Sequence, residues 1–305
     1  MEPAQKDVIA RGVWPTMVTP FSETGGIDWD GVDALIDWYL AAGVAGLFAV
    51  CLSSEMYALS PDERLALACH VVHKVDGRIP IVACGTFGGA VSDQAEYVRM
   101  MADTGVSAVV AIVCQLAAQD EGDDILQDHL ETLVELTPGI PLGLYECPKP
   151  YHRLLSAELL AWAAHTERFV FMKDTSCSRQ AIRAKIRAVR GTPLRWFNAN
   201  TPTLLDSLRW GGDGYCSIGA NAFPALYVQH CARYAENPAR AEQLQEFLTM
   251  AEMTIRPNYP TSAKLFLRNS HLPIQLNSRI DNPVLHEEDT IILTQLMQAI
   301  DNYTK

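Results

Sequence analysis

Short continuous apolar runs alternate with amphipathic stretches along most of the chain. The runs are Pro15–Thr19, Leu47–Cys51, Pro80–Cys84, Ala108–Val113, Pro141–Tyr145, Phe169–Lys173, Leu194–Phe197 and Gly214–Ile218. Each is brief and lacks polar alternation, which predicts strands buried on both faces. Between them, apolar positions recur at three- and four-residue spacing. Trp29, Val32, Leu35, Ile36 and Tyr39 predict one helical face, with Asp28 as the N-cap. Ser60-Pro61-Asp62-Glu63 is a second helix start, with proline at the first helical position and Glu63 placed for a capping box. That helix runs through Leu65, Ala68 and Val72 and ends before Gly77. Further helices are expected over 92–105, 124–136, 156–164, 178–189 and 202–210.

Strand and helix therefore alternate at roughly 20 to 35 residues, the size of a βα unit. Eight such strands in about 220 residues predict an α/β fold, a closed (β/α)8 TIM barrel. The alternative, a doubly wound open sheet, usually carries Gly-x-Gly-x-x-Gly after its first strand, where this chain has Pro20-Phe21-Ser22-Glu23. From Asn237 only helical patterns remain, over 239–253, 262–268 and 287–303. The chain divides on this reading into a barrel carrying the active site, 1–236, and a C-terminal helical appendix, 237–305.

Composition narrows the function classes. The 305 residues, 49% apolar and 20% charged, suffice for a sizeable core. A net charge of −12, with no basic cluster interleaved with aromatics, argues against nucleic acid as a partner. MEPAQKDVIA holds no apolar signal core, and no apolar run is long enough to span a bilayer, so no membrane partner is expected. The eight cysteines form no Cys-x-x-Cys pair, and neither they nor the eight histidines show ligand spacing. No disulfide framework, metal or cofactor is expected, and the expected compartment is the reducing cytoplasm.

Catalytic groups in such barrels sit at the C-terminal ends of strands. There the chain places Cys51-Leu52-Ser53-Ser54-Glu55, Tyr145-Glu146-Cys147-Pro148, Lys173-Asp174-Thr175-Ser176, Asn198-Ala199-Asn200 and Cys216 to Asn221. Lys173 closes an apolar run. Burial disfavours an ammonium and leaves a neutral amine nucleophilic toward carbonyls. The competing reading is a lysine that snorkels out of a strand end. A phenol on the neighbouring strand end, Tyr145, would pass protons to a carbinolamine, unless its ring only fills the barrel mouth. Ser53 and Ser54, with their backbone N–H groups, suit an α-keto carboxylate; the alternative is an ordinary turn. Cysteines 51, 84, 114, 147, 177 and 216 fall at or just past strand ends, as small buried hydrophobes by default or as functional thiols otherwise. Gly211-Gly212-Asp213-Gly214 is a candidate phosphate cradle, weakened by its own aspartate.

Over nearly its whole length the chain resembles the dihydrodipicolinate synthase/N-acetylneuraminate lyase group of class I aldolases. The matching marks are Thr19-Pro20-Phe21, Glu55, Ser60-Pro61-Asp62-Glu63-Arg64, Tyr145-Glu146-Cys147-Pro148 and Lys173-Asp174-Thr175-Ser176. Gly211 to Gly214 with Ala220-Asn221, and Pro257-Asn258-Tyr259-Pro260 before Lys264, complete them. The resemblance implies that Lys173 forms a Schiff base with pyruvate or another 2-oxo acid and that Tyr145 relays protons. It also implies that Ser53 and Ser54 hold the carboxylate, that Thr175 lies beside it, that Cys216 contributes backbone, and that the protein is a homotetramer, a dimer of dimers.

Departures from the family pattern shape the expectation further. Leu52 stands where the family has a relay hydroxyl, the loop from Cys114 to Glu121 lacks the tyrosine that dihydrodipicolinate synthases lend to a neighbouring subunit, and Pro150 replaces their dicarboxylate-binding arginine. These argue against a role in lysine biosynthesis, and Asn198 and Asn200 suit a hydroxylated 2-oxo acid. The leading expectation is a Schiff-base lyase: aldol cleavage or condensation on a 2-oxo acid, or dehydration of a 3-deoxy-2-oxo sugar acid. The alternatives are a catalytically idle relative that binds a 2-oxo acid or a partner protein, a phosphate-binding barrel isomerase, and dihydrodipicolinate synthase itself.

Overall fold

Eight parallel strands form one sheet: β1 (Gly12–Val13), β2 (Leu47–Val50), β3 (Ile81–Cys84), β4 (Ala108–Ile112), β5 (Leu142–Tyr145), β6 (Phe169–Asp174), β7 (Arg195–Asn198) and β8 (Gly214–Tyr215). In this computed structural model, which describes residues 8–304, β2 through β8 pair in sequence order and β8 pairs with β1. Residues 1–7, which carry most of the segment read as lacking an apolar signal core, lie outside the described residues. The ring closes through a Thr16–Phe48 bridge: Met17 N–H donates to Phe48 O and Phe48 N–H to Pro15 O, both at 3.0 Å. The chain is a (β/α)8 barrel with a C-terminal helical region.

Helices α1 (Trp29–Ala41), α2 (Pro61–Val75), α3 (Val91–Asp103), α4 (Asp123–Leu136), α5 (Ala157–His165), α6 (Arg179–Ala188) and α7 (Leu204–Arg209) follow β1 to β7, and α8 (Gly219–Ala222) and α9 (Pro224–Arg233) follow β8. Beyond them lie α10 (Pro238–Ile255), α11 (Thr261–Asn269) and α12 (Glu287–Thr304). The expected caps form. Asp28 accepts from Gly31 N–H at 3.1 Å, and Ser60 and Glu63 exchange hydrogen bonds at 2.9 and 3.2 Å.

Three elements differ from the expectation. The first strand is Gly12–Val13 and not Pro15–Thr19. Pro15 has no N–H for a ladder, and the chain there crosses from β8 toward β2. The eighth strand stops at Tyr215, because Cys216 to Ile218 turn into α8. And α9, which packs against β1 and β8, lies in a stretch given no helix; its start is marked by Pro224 at the first helical position. Gly214 shows how tightly β1 and β8 approach: it sits at φ +152°, and a Cβ added there would fall 1.8 Å from Gly12 O.

The interior of the barrel is an aromatic plug. Phe171 meets Trp14, Phe197 and Phe48 at ring separations of 5.3, 5.0 and 5.7 Å. These inward residues fix the parity of their strands, so Lys173, two residues beyond Phe171, shares its face. The C-terminal region is pinned to the barrel by ions. Lys264, fully buried, donates to Glu55 Oε1 at 2.9 Å, while Ser278 Oγ and Arg279 N–H reach Glu55 Oε2 at 3.0 and 2.6 Å. The Arg279 guanidinium forks onto Glu63 at 2.8 and 2.7 Å and holds that carboxyl down at about 2. A lowered folded-state value means stability present above the ordinary carboxylate value and lost as the pH falls through the lowered one. Glu63→Gln should therefore melt a few degrees below wild type at neutral pH. That gap should narrow as the pH falls from about 4.5 toward 2; a constant gap in pH-resolved melts would remove the pair from the acid limb.

Candidate active site

Strand pairing brings Tyr145 and Lys173 opposite each other at the last register position of β5 and β6. Both are buried. The Lys173 Nζ lies 4.3 Å from the Tyr145 ring centre and 5.7 Å from that of Phe48, and Phe48 meets Tyr145 edge-on at 5.7 Å. Lys173 makes no ion pair or hydrogen bond with any described residue. Its surroundings are thiols from four strand ends, Cys51, Cys84, Cys147 and Cys216. Burial pushes all four thiols up, Cys216 to about 12, against the downward pull of the Lys173 charge. Of the strand-end cysteines, 51, 84, 114, 147 and 216 are buried; Cys177 is exposed, a correction to the default burial. Burial also raises the Tyr145 phenol well above its ordinary value, so the group is a neutral hydroxyl that can donate and accept.

The turn after β2 divides its two serines between tasks. Ser54 builds it: its Oγ donates to Cys51 O at 2.7 Å and accepts from Cys51 N–H at 2.8 Å. Ser53 Oγ donates to Thr16 Oγ1 at 3.1 Å, beside the Phe48 bridge that closes the barrel. Thr16 was read only as part of a strand and Tyr259 only as a mark of the family resemblance, neither with a role at the site. Asn221 Nδ2 donates to Thr16 O at 2.8 Å and to Tyr259 OH at 3.0 Å, carrying a C-terminal phenol to the same rim.

The remaining candidates sit in different roles. Cys216 donates its N–H to Asn198 O at 2.9 Å. Thr175 Oγ1 donates to Glu146 O at 2.6 Å and lies 2.8 Å from His152 Nε2. The Asn198 carboxamide is spent on structure. Its Nδ2 donates to Thr203 and Ser207 hydroxyls, both at 3.0 Å, and its Oδ1 accepts from Asn200 N–H at 2.8 Å. Phe197 points into the plug, so strand alternation turns Asn198 toward α7. Asn200 Nδ2 likewise donates to Thr203 Oγ1 at 3.0 Å. The Gly211–Gly214 loop is filled by its own acid: Asp213 pairs with Arg11 at 2.9 Å and accepts from Trp196 N–H at 2.8 Å.

Arg153, close to the missing family arginine, is also committed. Its guanidinium donates to Ala118 O, Glu121 O and Gly122 O at 3.0, 2.9 and 2.7 Å. Behind the site lies a buried ionic cluster that the sequence did not announce. The Lys185 ammonium meets both Glu146 and Asp174. One signal was available, a lysine at helical spacing between Ile182 and Ile186 on the apolar face of α6.

Comparison with known proteins agrees with this architecture. The profile of the Dihydrodipicolinate synthetase family matches residues 9–295. A 4-hydroxy-tetrahydrodipicolinate synthase of Teredinibacter turnerae is 27% identical over 270 residues, 87% of this chain and 86% of that protein. Its counterpart in Enterococcus faecalis is 26% identical over 276 residues, 89% of this chain and 92% of the other. Among solved structures, a monomeric dihydrodipicolinate synthase variant superposes with a TM-score of 0.88 at 20% identity, covering 98% of this chain and 99% of that one. A prophage protein of E. coli K12 from the same family, in complex with pyruvate, gives 0.85 at 23% identity, covering 95% and 98%. These structures share the fold. With the family profile spanning almost the whole chain, the protein belongs to the dihydrodipicolinate synthetase family and is an enzyme of the class I, Schiff-base-forming aldolase and lyase type.

Proposed function

We propose that the protein cleaves, condenses or dehydrates a 2-oxo acid of the pyruvate type through a Schiff base on Lys173. The observation that carries this reading is a buried amine, free of any carboxylate among the described residues, facing a buried phenol at adjacent strand ends. The Lys173 amine attacks the C2 carbonyl, and Tyr145 supplies the proton with which the carbinolamine oxygen leaves as water. The resulting iminium draws electrons from the C3–C4 bond as the C4 hydroxyl passes its proton to the phenolate left on Tyr145 and an aldehyde leaves. In a dehydration it draws them from C3–H as that phenolate takes the C3 proton ahead of hydroxide loss from C4. Ser53, through its hydroxyl and N–H, holds the carboxylate, with Ser54 shaping the turn beneath it. Thr175 and the Cys216 backbone line the same rim. Asn198 is left out of substrate contact, its carboxamide being fully used.

A 3-deoxy-2-oxo sugar acid is the preferred class of larger substrate, because the groups that serve dihydrodipicolinate formation are missing or engaged. Leu52 has no hydroxyl, the 115–119 segment has no tyrosine, and Arg153 is tied to the loop before α4. Condensation of pyruvate with aspartate semialdehyde should accordingly be slow or absent. Turnover on that pair in the common enzyme range of about 1–10³ s⁻¹ would reverse the preference. The assembly this reading expects is a homotetramer, a dimer of dimers, and the eight free cysteines fit a reducing cytoplasm. The direct test is borohydride reduction in the presence of pyruvate, with peptide mass mapping. One reduced adduct on Lys173 is expected, and an unmodified Lys173 at saturating pyruvate overturns the mechanism.

A further inference from the structure

Lys185 is almost completely buried, on the face of α6 that packs against the barrel wall. Its Nζ donates to Glu146 Oε1 and, at 2.7 Å, to Asp174 Oδ2. These two carboxylates occupy the positions immediately after Tyr145 and Lys173. Because side chains alternate along a strand, the phenol and the amine point into the barrel while the carboxylates point out toward the helices. There each acid is fully engaged. Glu146 Oε1 also accepts from Leu155 N–H at 2.8 Å and its Oε2 from Thr175 N–H at 2.9 Å. Asp174 Oδ1 accepts from Ser176 N–H at 2.9 Å and from Ser176 Oγ at 2.7 Å.

We propose that Lys185 is a positioning residue for the reaction at Lys173, clipping together the chain segments that follow the two reacting side chains and so holding phenol and amine apposed. The proposal rests on the Schiff-base reading of Lys173. Three observations converge on it. Regular pairing of β5 with β6 ends at Tyr145–Lys173; past that point the two segments are joined by Glu146 N–H to Lys173 O at 3.3 Å, by the contacts of Thr175 with Glu146 and His152, and by the clip. The single ammonium donates to both segments. And for stability alone, well-packed apolar residues would serve as well as a buried ion cluster, whereas directed hydrogen bonds fix each strand end in place. The Lys185 ammonium is opposed by burial, yet Glu146 and Asp174 outweigh that and raise its pKa, while burial and the neighbouring Asp174 charge push the Glu146 carboxyl up to about 7.

The test compares Lys185→Met/Glu146→Gln, which keeps the net charge of the ionised cluster while removing the clip, with Glu146→Gln alone and wild type. Pyruvate-dependent borohydride capture at Lys173 is followed over a range of pyruvate concentrations, beside circular dichroism and thermal melts on the full chain. For protein folded at the assay temperature, the capture rate constant at saturation should fall by about 10- to 100-fold in the double variant and less in the single one, the penalty typical of small misplacement. The half-saturating pyruvate concentration should move little, since the carboxylate contacts at Ser53 are untouched. A cluster that only stabilises the fold would lower the melting temperature and leave the rate constant of folded protein unchanged. Wild-type capture by either variant, folded, overturns the proposal. Absence of capture in the wild-type protein is a different result: it removes the Schiff base itself.

Discussion

Lys173→Met should abolish the pyruvate adduct and lower turnover by on the order of 10⁴–10⁶, the scale seen when a covalent nucleophile is removed. The same variant should melt at or above the wild-type temperature. Lys173 lies among buried thiols and against two aromatic rings, with no described carboxylate to compensate its charge. A methionine has nearly the same length and no ammonium to desolvate, so the substitution removes a cost and retains the packing. A gain of about 1 kcal/mol corresponds to roughly 2–4 °C in a domain of this order of size. Loss of activity with gain of stability is the signature of a residue kept for chemistry. Thermal melts beside a single-turnover assay would read both, and a variant that lost stability while keeping turnover would make Lys173 structural.

The pattern of apolar runs made the barrel legible because a parallel strand covered on both faces must be apolar throughout. β2 to β7 accordingly fall within a residue or so of the runs that predicted them. β1 and β8 are different. They are two residues each, they meet through Gly12 and Gly214, and their hydrogen bonds are shared with a segment that crosses from one neighbour to the other. A run of apolar residues cannot report that crossing. Strand-end position likewise located Lys173 and Tyr145 but says nothing of the face on which a side chain emerges. Parity would have added this: with Phe197 inward, Asn198 had to turn away from the barrel interior. Lys185 was half legible, as a cation on an apolar helix face; its partners lie on two strands far away in sequence, and only the fold brings them together.

Tyr145→Phe should separate binding from chemistry. The ring would still meet Phe48 edge-on and cover Lys173, so folding should change little. The loss is one hydroxyl, and general acid–base groups contribute typically about 10²–10⁴-fold, so turnover on the true substrate should fall by that order. The phenol lies in the wall beside the amine and is held neutral by burial, as a donor to a departing carbinolamine hydroxyl must be. Adduct formation should slow as well, because losing that hydroxyl also needs a proton, yet the adduct should still reach full occupancy given time. Ser53 and its turn are untouched, so KM should move far less than kcat. Capture kinetics and steady-state turnover on one preparation check both halves. Near-normal turnover in the variant would return Tyr145 to a packing role and move the search for the proton donor to Ser53, whose hydroxyl already bonds Thr16 at the rim.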